Sequence, residues 1–284
     1  MKDPIASIQG RLRQLAVQAG RKHQLLLTRY FQERFIYRVS ISAHSNHFCL
    51  KGGALLYALE GEKSRPTMDI DLLGLQLPND REHFRNIFTE ICQIQYEPDG
   101  VIFLSDALTA TEIGKDRRYS GVRLEFEGRL GNIRQKMQVD IGFGDVTTPD
   151  PARMVYPTLL PMDAPQIKAY SVETIIAEKF EAMIDLADSN SRMKDFYDMH
   201  RLLLSQNFAP ETLKEAVINT FQRRGTSYMD NHPIFHSDFG TDPKRSLQWG
   251  AFLKKSNLDQ SIDLEGVLKQ IDEYLRPIFE SMRI

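Results

Sequence analysis

Asp69 and Asp71 stand either side of Ile70. In an extended strand that spacing puts both carboxylates on one face and the isoleucine on the other. Two like charges so close are costly without a cation between them. Asp140 repeats the arrangement, because Met137, Val139, Ile141 and Phe143 form an apolar set and leave Asp140 pointing the opposite way. If the two strands are neighbours, three hard oxygen donors converge with no His or Cys among them. That donor set suits Mg2+ or Mn2+ and the metal-assisted transfer of a phosphoryl or nucleotidyl group. A lone D-x-D is short enough to be a pair of solvated strand residues. Upstream, however, Phe48-Cys49-Leu50 runs into Lys51-Gly52-Gly53 and then the helix-forming Ala54 to Leu59. A strand, a glycine turn and a helix start present backbone N–H groups to an anion, so Gly52 and Gly53 are read as a phosphate cradle. The three parts together are far more specific than any one.

Two more candidates lie in the second half. On a helical wheel for residues 171–187, Val172, Ile175, Ile176, Phe180, Met183 and Ile184 form an apolar stripe. Lys179 falls inside the stripe, whereas Glu178 and Glu181 fall outside it. A desolvated ammonium needs a carboxylate or a phosphate beside it, which assigns Lys179 to donor phosphates or transition-state charge. Asp195, near the start of the next helix and opposite Phe196, Tyr197, His200, Leu203 and Leu204, is placed to take a proton from an incoming hydroxyl. Lys194 beside it is a phosphate-binding candidate. His44, His47 and Cys49 are better explained by a strand entering the core than by metal ligation. Arg117, Arg118 and Arg123 are weaker candidates for triphosphate or RNA contacts.

Several blocks occur here in one order: Lys51-Gly52-Gly53, Asp69-Ile70-Asp71-Leu72, Val139-Asp140-Ile141-Gly142-Phe143-Gly144-Asp145, Ala177-Glu178-Lys179-Phe180-Glu181-Ala182 and Ser191-Arg192-Met193-Lys194-Asp195-Phe196-Tyr197-Asp198. In them the chain resembles the AbiEii/AbiGii toxin family, nucleotidyltransferase-like proteins of the DNA polymerase beta superfamily, from about residue 30 to beyond Trp249. The resemblance implies a nucleoside triphosphate donor, Asp69, Asp71 and Asp140 as metal ligands, and Lys51, Gly52, Gly53, Lys179 and Lys194 around the nucleotide. It also implies a toxin paired with an AbiEi-type antitoxin encoded upstream, acting in phage-defence abortive infection. Some relatives add nucleotides to the acceptor end of transfer RNA, so RNA is the expected acceptor. Transfer to a protein or small molecule, or nucleotide and partner binding without chemistry, are the alternatives. Gly53 departs from the serine common at that place in the wider superfamily. The stretch from Gly53 to Asp69 is also longer than usual.

The elements that must hold these groups follow from periodicity. Residues 5–38 read as one or two amphipathic helices carrying arginines, 67–73 as a strand, 80–95 as a helix, and 122–126 and 137–143 as strands. Prolines 149, 151, 157, 161 and 165 read as a link. Beyond it come helices at 171–187 with Ser171 as N-cap, 191–205, 210–223, 244–255 and 261–282. Phe221 to Asp242 reads as a long loop and Trp249 as core. The expected fold is α+β: a polymerase-beta-like nucleotidyltransferase domain with a mixed sheet and flanking helices (1–150, including a basic N-terminal helical segment), then an all-α domain (165–284). At 284 residues and 42 % hydrophobic the chain has a globular composition that excludes disorder and fibrous repeats. Its two cysteines, and the lack of any apolar run near the ~20 residues a membrane span needs, fit a reduced cytoplasmic protein. The net charge of −2 argues against binding nucleic acid by bulk charge. Residues 1–40 nevertheless hold eight basic and two acidic side chains, a local +6 that reads as an arm for guiding RNA.

Overall fold

A computed structural model describes residues 4–114, 121–205 and 207–283. Arg117 and Arg118, with Lys2 and Asp3 of the basic segment, lie outside the described residues. The chain forms two compact units, and each has its own core.

The first unit comprises residues up to Ala58, Pro66–Gly144 and Ala152–Ala169. It opens with helices α1 (Pro4–Gln18) and α2 (His23–Ile41). On α1 only the stripe Ile8, Leu12 and Ala16 is buried, the pattern of a surface helix. Helix α2 is buried all round from Leu26 to Val39, charged residues included. The arginines are accommodated because each has a partner. Arg38 forks the carboxylate of Asp99 with both sides of the pair fully buried, Arg34 donates to the Asp163 carbonyl, and Arg29 stacks 4.0 Å over the Tyr57 ring. Residues 1–40, read as an arm for guiding RNA, are therefore not exposed throughout. Three of its eight basic residues hold the core, while Arg11, Arg13 and Lys22 are exposed.

Strand β1 (Phe48–Lys51), helix α3 (Gly52–Glu60), β2 (Ile70–Gly74), helix α4 (Arg81–Gln93), β3 (Val101–Ile113), β4 (Gly121–Leu130), β5 (Ile133–Phe143), β6 (Ala152–Val155) and β7 (Gln166–Ala169) follow. The described strands make one mixed sheet in the order β3-β4-β5-β2-β1-β7-β6. Phe35 of α2, Phe88 of α4, and Phe103 and Phe126 of the sheet interlock with ring centroids 4.7–6.0 Å apart, so α2 and α4 cover the apolar face. Val122, Leu124 and Phe126 of β4 and Met137, Val139 and Ile141 of β5 all point into this core.

The proline-rich stretch is not a bare link. It carries β6 and β7, and β7 pairs parallel to β1. Pro151 and Pro157 flank β6, which lies at the sheet edge where a missing N–H costs no ladder bond.

The second unit comprises Leu59–Arg65, Asp145–Pro151 and Tyr170 onward. Its helices are α5 (Val172–Leu186), α6 (Met193–Ser205), α7 (Pro210–Arg224), α8 (Ser237–Thr241), α9 (Pro243–Ser256) and α10 (Leu264–Glu280). Ser171, Asp242 and Asp263 cap α5, α9 and α10 with side-chain hydrogen bonds. Phe180, Phe221, Phe235 and Phe279 form its aromatic centre, and Trp249 is buried with its indole N–H donating to the Ile262 carbonyl. The expected loop 221–242 instead ends α7, holds α8 and buries Ile234 and Phe239. Its apolar residues are too sparse for a periodic signal, yet Ile234 and Phe239 are packed while Met229 stays exposed. Among the described residues no helix is long and apolar enough to cross a membrane.

Candidate active site

Strand pairing places the candidate residues of the first unit in a single row. Lys51 on β1 is the register partner of Asp71 on β2. Asp71 is the partner of Asp140 on β5, and Asp140 of Arg123 on β4. Partners directly opposite share a face, so the sheet displays Lys51, Asp71, Asp140 and Arg123 side by side, charged plus, minus, minus, plus. Asp69, two residues before Asp71, falls on the same face. One residue along, Leu50, Leu72, Ile141 and Val122 form the matching row, each at most 1 % exposed in the core. A slip of one residue would bury the charges and expose the leucines, which locks the register.

The glycine turn abuts this row. Gly52 has φ +65°, and a Cβ there would lie 1.9 Å from Asp71 Oδ2. Only the missing side chain lets the strand-to-helix turn approach that carboxylate. A Cβ on Gly53 would stand 2.6 Å from both Cβ and Oγ1 of Thr67. The Thr67 side chain thus occupies the space that a larger residue at 53 would need.

Asp140 is not free to turn toward Asp69 and Asp71. Arg123 donates from Nε to Oδ1 at 2.8 Å and from Nη2 to Oδ2 at 2.7 Å, and Gln138 adds two longer bonds at 3.4 Å. Hydrogen bonding to Asp140 raises the Arg123 pKa. Desolvation opposes the rise, and the charges of Asp140, Asp69 and Glu125 add to it. The three carboxylates are therefore neighbours by backbone but do not converge. Among the described residues no three acidic, histidine or cysteine side chains are gathered to hold a metal.

A hard divalent cation still fits the chemistry of the donor set. Asp69 and Asp71 supply oxygen alone from one strand face. Asp140, in register with Asp71, supplies a third oxygen donor, held in a partly exposed fork with Arg123.

In the second unit Lys179 Nζ lies 2.7 Å from Asp195 Oδ1 and 2.8 Å from Asp198 Oδ2. Arg65 Nε bonds both Asp198 oxygens, at 3.0 and 3.1 Å. The inward-facing lysine thus has carboxylate partners. Burial pushes the Lys179 pKa down, but the two aspartates outweigh it and hold it above the ordinary lysine value. Burial pushes the Asp195 carboxyl up, yet Lys179 holds it below the ordinary range. That makes Asp195 a weak proton acceptor while the pair is closed. Lys194 is exposed.

Sequence reasoning passed over Asp198 and Arg65. Asp198 lies three residues after Asp195 on one helix face, a spacing that was there to be read. Arg65 sits in a loop, and its partner is 133 positions away. With Arg201 bonding Glu60 at 2.8 Å and the Tyr197 hydroxyl donating to the Lys63 carbonyl, α6 pins the segment 59–65. Glu181, expected outside the apolar stripe, is buried because Arg224 and Thr226 both bond it.

Two solved structures share this fold. One is described as a candidate nucleotidyltransferase from H. pylori, 15 % identical over 92 % of this chain and 97 % of that one, with a TM-score of 0.55. The other is JHP933 from Helicobacter pylori, also 15 % identical, over 92 % of this chain and 94 % of that one, with a TM-score of 0.53. At such identity they speak for the fold. No curated protein sequence matches this one. The model of the nucleotidyl transferase AbiEii toxin family, of type IV toxin–antitoxin systems, matches residues 34–276. That span takes in the glycine turn, all three aspartates of the row and the Lys179 cluster. The chain belongs to the AbiEii family and is a nucleotidyltransferase.

Proposed function

We propose that this protein transfers a nucleoside monophosphate from a nucleoside triphosphate to an RNA hydroxyl, with pyrophosphate leaving from the α-phosphate, transfer RNA being the acceptor to try first. We further propose that it does so as the toxin of a pair with an AbiEi-type antitoxin, in phage-defence abortive infection. The observation that carries the chemistry is the charged row abutted by the Gly52 turn, with Asp71 against the Gly52 backbone. Asp69 and Asp71 are the residues to hold Mg2+ or Mn2+, joined by Asp140. When bound, such an ion offsets triphosphate charge and aligns the α-phosphate for in-line attack. The Gly52-Gly53 backbone and Lys51 bind donor phosphates at the start of α3. Lys179 and Lys194 are the phosphate-binding candidates of the second unit. Asp195 keeps Lys179 charged and oriented, and accepts the proton of the attacking hydroxyl once Lys179 has exchanged a carboxylate for a phosphate.

The test is incubation of purified protein and Mg2+ with each labelled triphosphate and total RNA, followed by separation by size. Label in the transfer-RNA band supports the proposal, and label on protein redirects it to another acceptor. Asp69→Asn with Asp71→Asn is expected to lower incorporation by about a thousandfold or more with the melting temperature little changed. Undiminished incorporation by that variant would remove these aspartates from the mechanism.

A further inference from the structure

Among the described residues, two bidentate arginine–aspartate forks stand in very different surroundings. Arg38 and Asp99 are both fully buried, and that fork is a fixed strut of the core. In the fork between Arg123 and Asp140, the side chains are 37 % and 19 % exposed, so water and ions reach it and it can open at little cost. It also stands at the end of the charged row, within the field of Asp69 as well as Asp140.

We propose that Arg123 is a resident counter-cation of the carboxylate row, which a divalent metal must displace from Asp140 before the third ligand can turn toward Asp69 and Asp71. The proposal rests on the metal-dependent reading above. Lys51 and Arg123 together balance Asp71 and Asp140, and Asp69 leaves the set one charge negative. Two aspartates in adjacent register would otherwise repel, so a monovalent cation on a neighbouring strand stabilises the metal-free sheet. Both oxygens of Asp140 are engaged by that cation, which is why the three carboxylates do not converge. A doubly charged ion interacts more strongly with the same carboxylates than a guanidinium does, and exchange requires only that a solvent-accessible side chain rotate. Arg123 is thus a positioning residue that sets the rotamer of Asp140 and the metal affinity of the site, whereas a static strut would pre-form the ligand set and favour metal.

The full-length chain and three variants, Arg123→Gln, Asp140→Asn and the double variant, are titrated with Mn2+ alone by calorimetry, with circular dichroism as the check on folding. Removing the competing charge is expected to tighten Mn2+ binding by about five- to tenfold in Arg123→Gln. In the Asp140→Asn background the same substitution should change nothing, because the competition has no object there. Arg123→Lys, which keeps the charge without the fork, should fall between wild type and Arg123→Gln. Wild-type protein that binds Mn2+ no more weakly than Arg123→Gln overturns the counter-cation and leaves nucleotidyl transfer standing. Failure of all variants to bind Mn2+ overturns both.

Discussion

Glu33 is a carboxylate held against ionisation. It is 1 % exposed, and burial pushes its pKa up to about 7, with the Arg34 charge and the Leu159 N–H pulling the other way. Arg34 Nε lies 2.9 Å from Oε1, and its attraction, chiefly coulombic, opposes the desolvation. A group whose pKa is raised on folding contributes stability that is complete below its unfolded value and is lost as pH rises through the folded one. Stability should therefore decline between about pH 4.5 and 7, by up to about 3 kcal/mol. Glu33→Gln should flatten that window in urea titrations run across it, and an unaltered slope would place the titration elsewhere. Lys179 and Asp195 behave oppositely. The Asp195 value is depressed and the Lys179 value raised, so their pair is intact from above the ordinary aspartate value to below the ordinary lysine value. Lys179→Met leaves Asp195 buried without its hydrogen-bonded cation, with only the weaker influence of Lys194 and Arg192 remaining, and should cost about 3–5 kcal/mol. A urea midpoint within error of wild type would show the cluster to be dispensable for folding. Loss of activity in a Lys179 variant therefore has to be read alongside its stability.

At the scale of elements, the two glycines of the turn make different demands. Gly52→Ala requires a left-handed residue with a Cβ in the Asp71 carboxylate, and no single neighbour can relieve both. Gly53→Ala meets only the Thr67 side chain. Both variants should melt below wild type, by roughly 1–3 kcal/mol of strain. Thr67→Gly should rescue Gly53→Ala alone, and rescue of neither or of both would show that the turn is not limited by these contacts. The elements around this turn were legible because their signals are local. β2 and β5 alternate cleanly, and α5 announces itself by Ser171 and its stripe. β3 was not legible. It is an edge strand that exposes Ile102 along with polar side chains, and its pairing with β4 is interrupted between Leu104 and Thr109, so no period of two survives. β6 and β7 are only four residues each and are framed by prolines, and their place in the sheet depends on a pairing with β1 more than a hundred positions away. The Asp69–Asp71 face was readable from spacing, whereas the fork on Asp140 depends on which strand lies next to β5, a fact of topology rather than of pattern.

At the scale of the whole molecule, charge does two jobs that composition cannot separate. Of the basic residues before position 40, Arg29, Arg34 and Arg38 are spent inside the first unit, whereas Arg11 and Arg13 on α1 and Lys22 just after it are exposed and able to meet a polyanion. The family match begins at residue 34, midway through α2, although Tyr30 and Phe31 upstream are fully buried. A chain begun at residue 34 would lose both aromatics and the first half of α2, at about 3–5 kcal/mol per buried aromatic. It should be insoluble or molten, as read by near-ultraviolet circular dichroism. A native-like spectrum from that fragment would show α2 to be an accessory. The charged row has a final consequence for the life of the protein. Because Lys51 and Arg123 answer Asp71 and Asp140 within the sheet itself, the fold does not wait for a metal in the way a zinc finger does. On the metal-dependent reading proposed above, folding and metal loading are separable events, and a folded chain without the ion has its chemistry switched off.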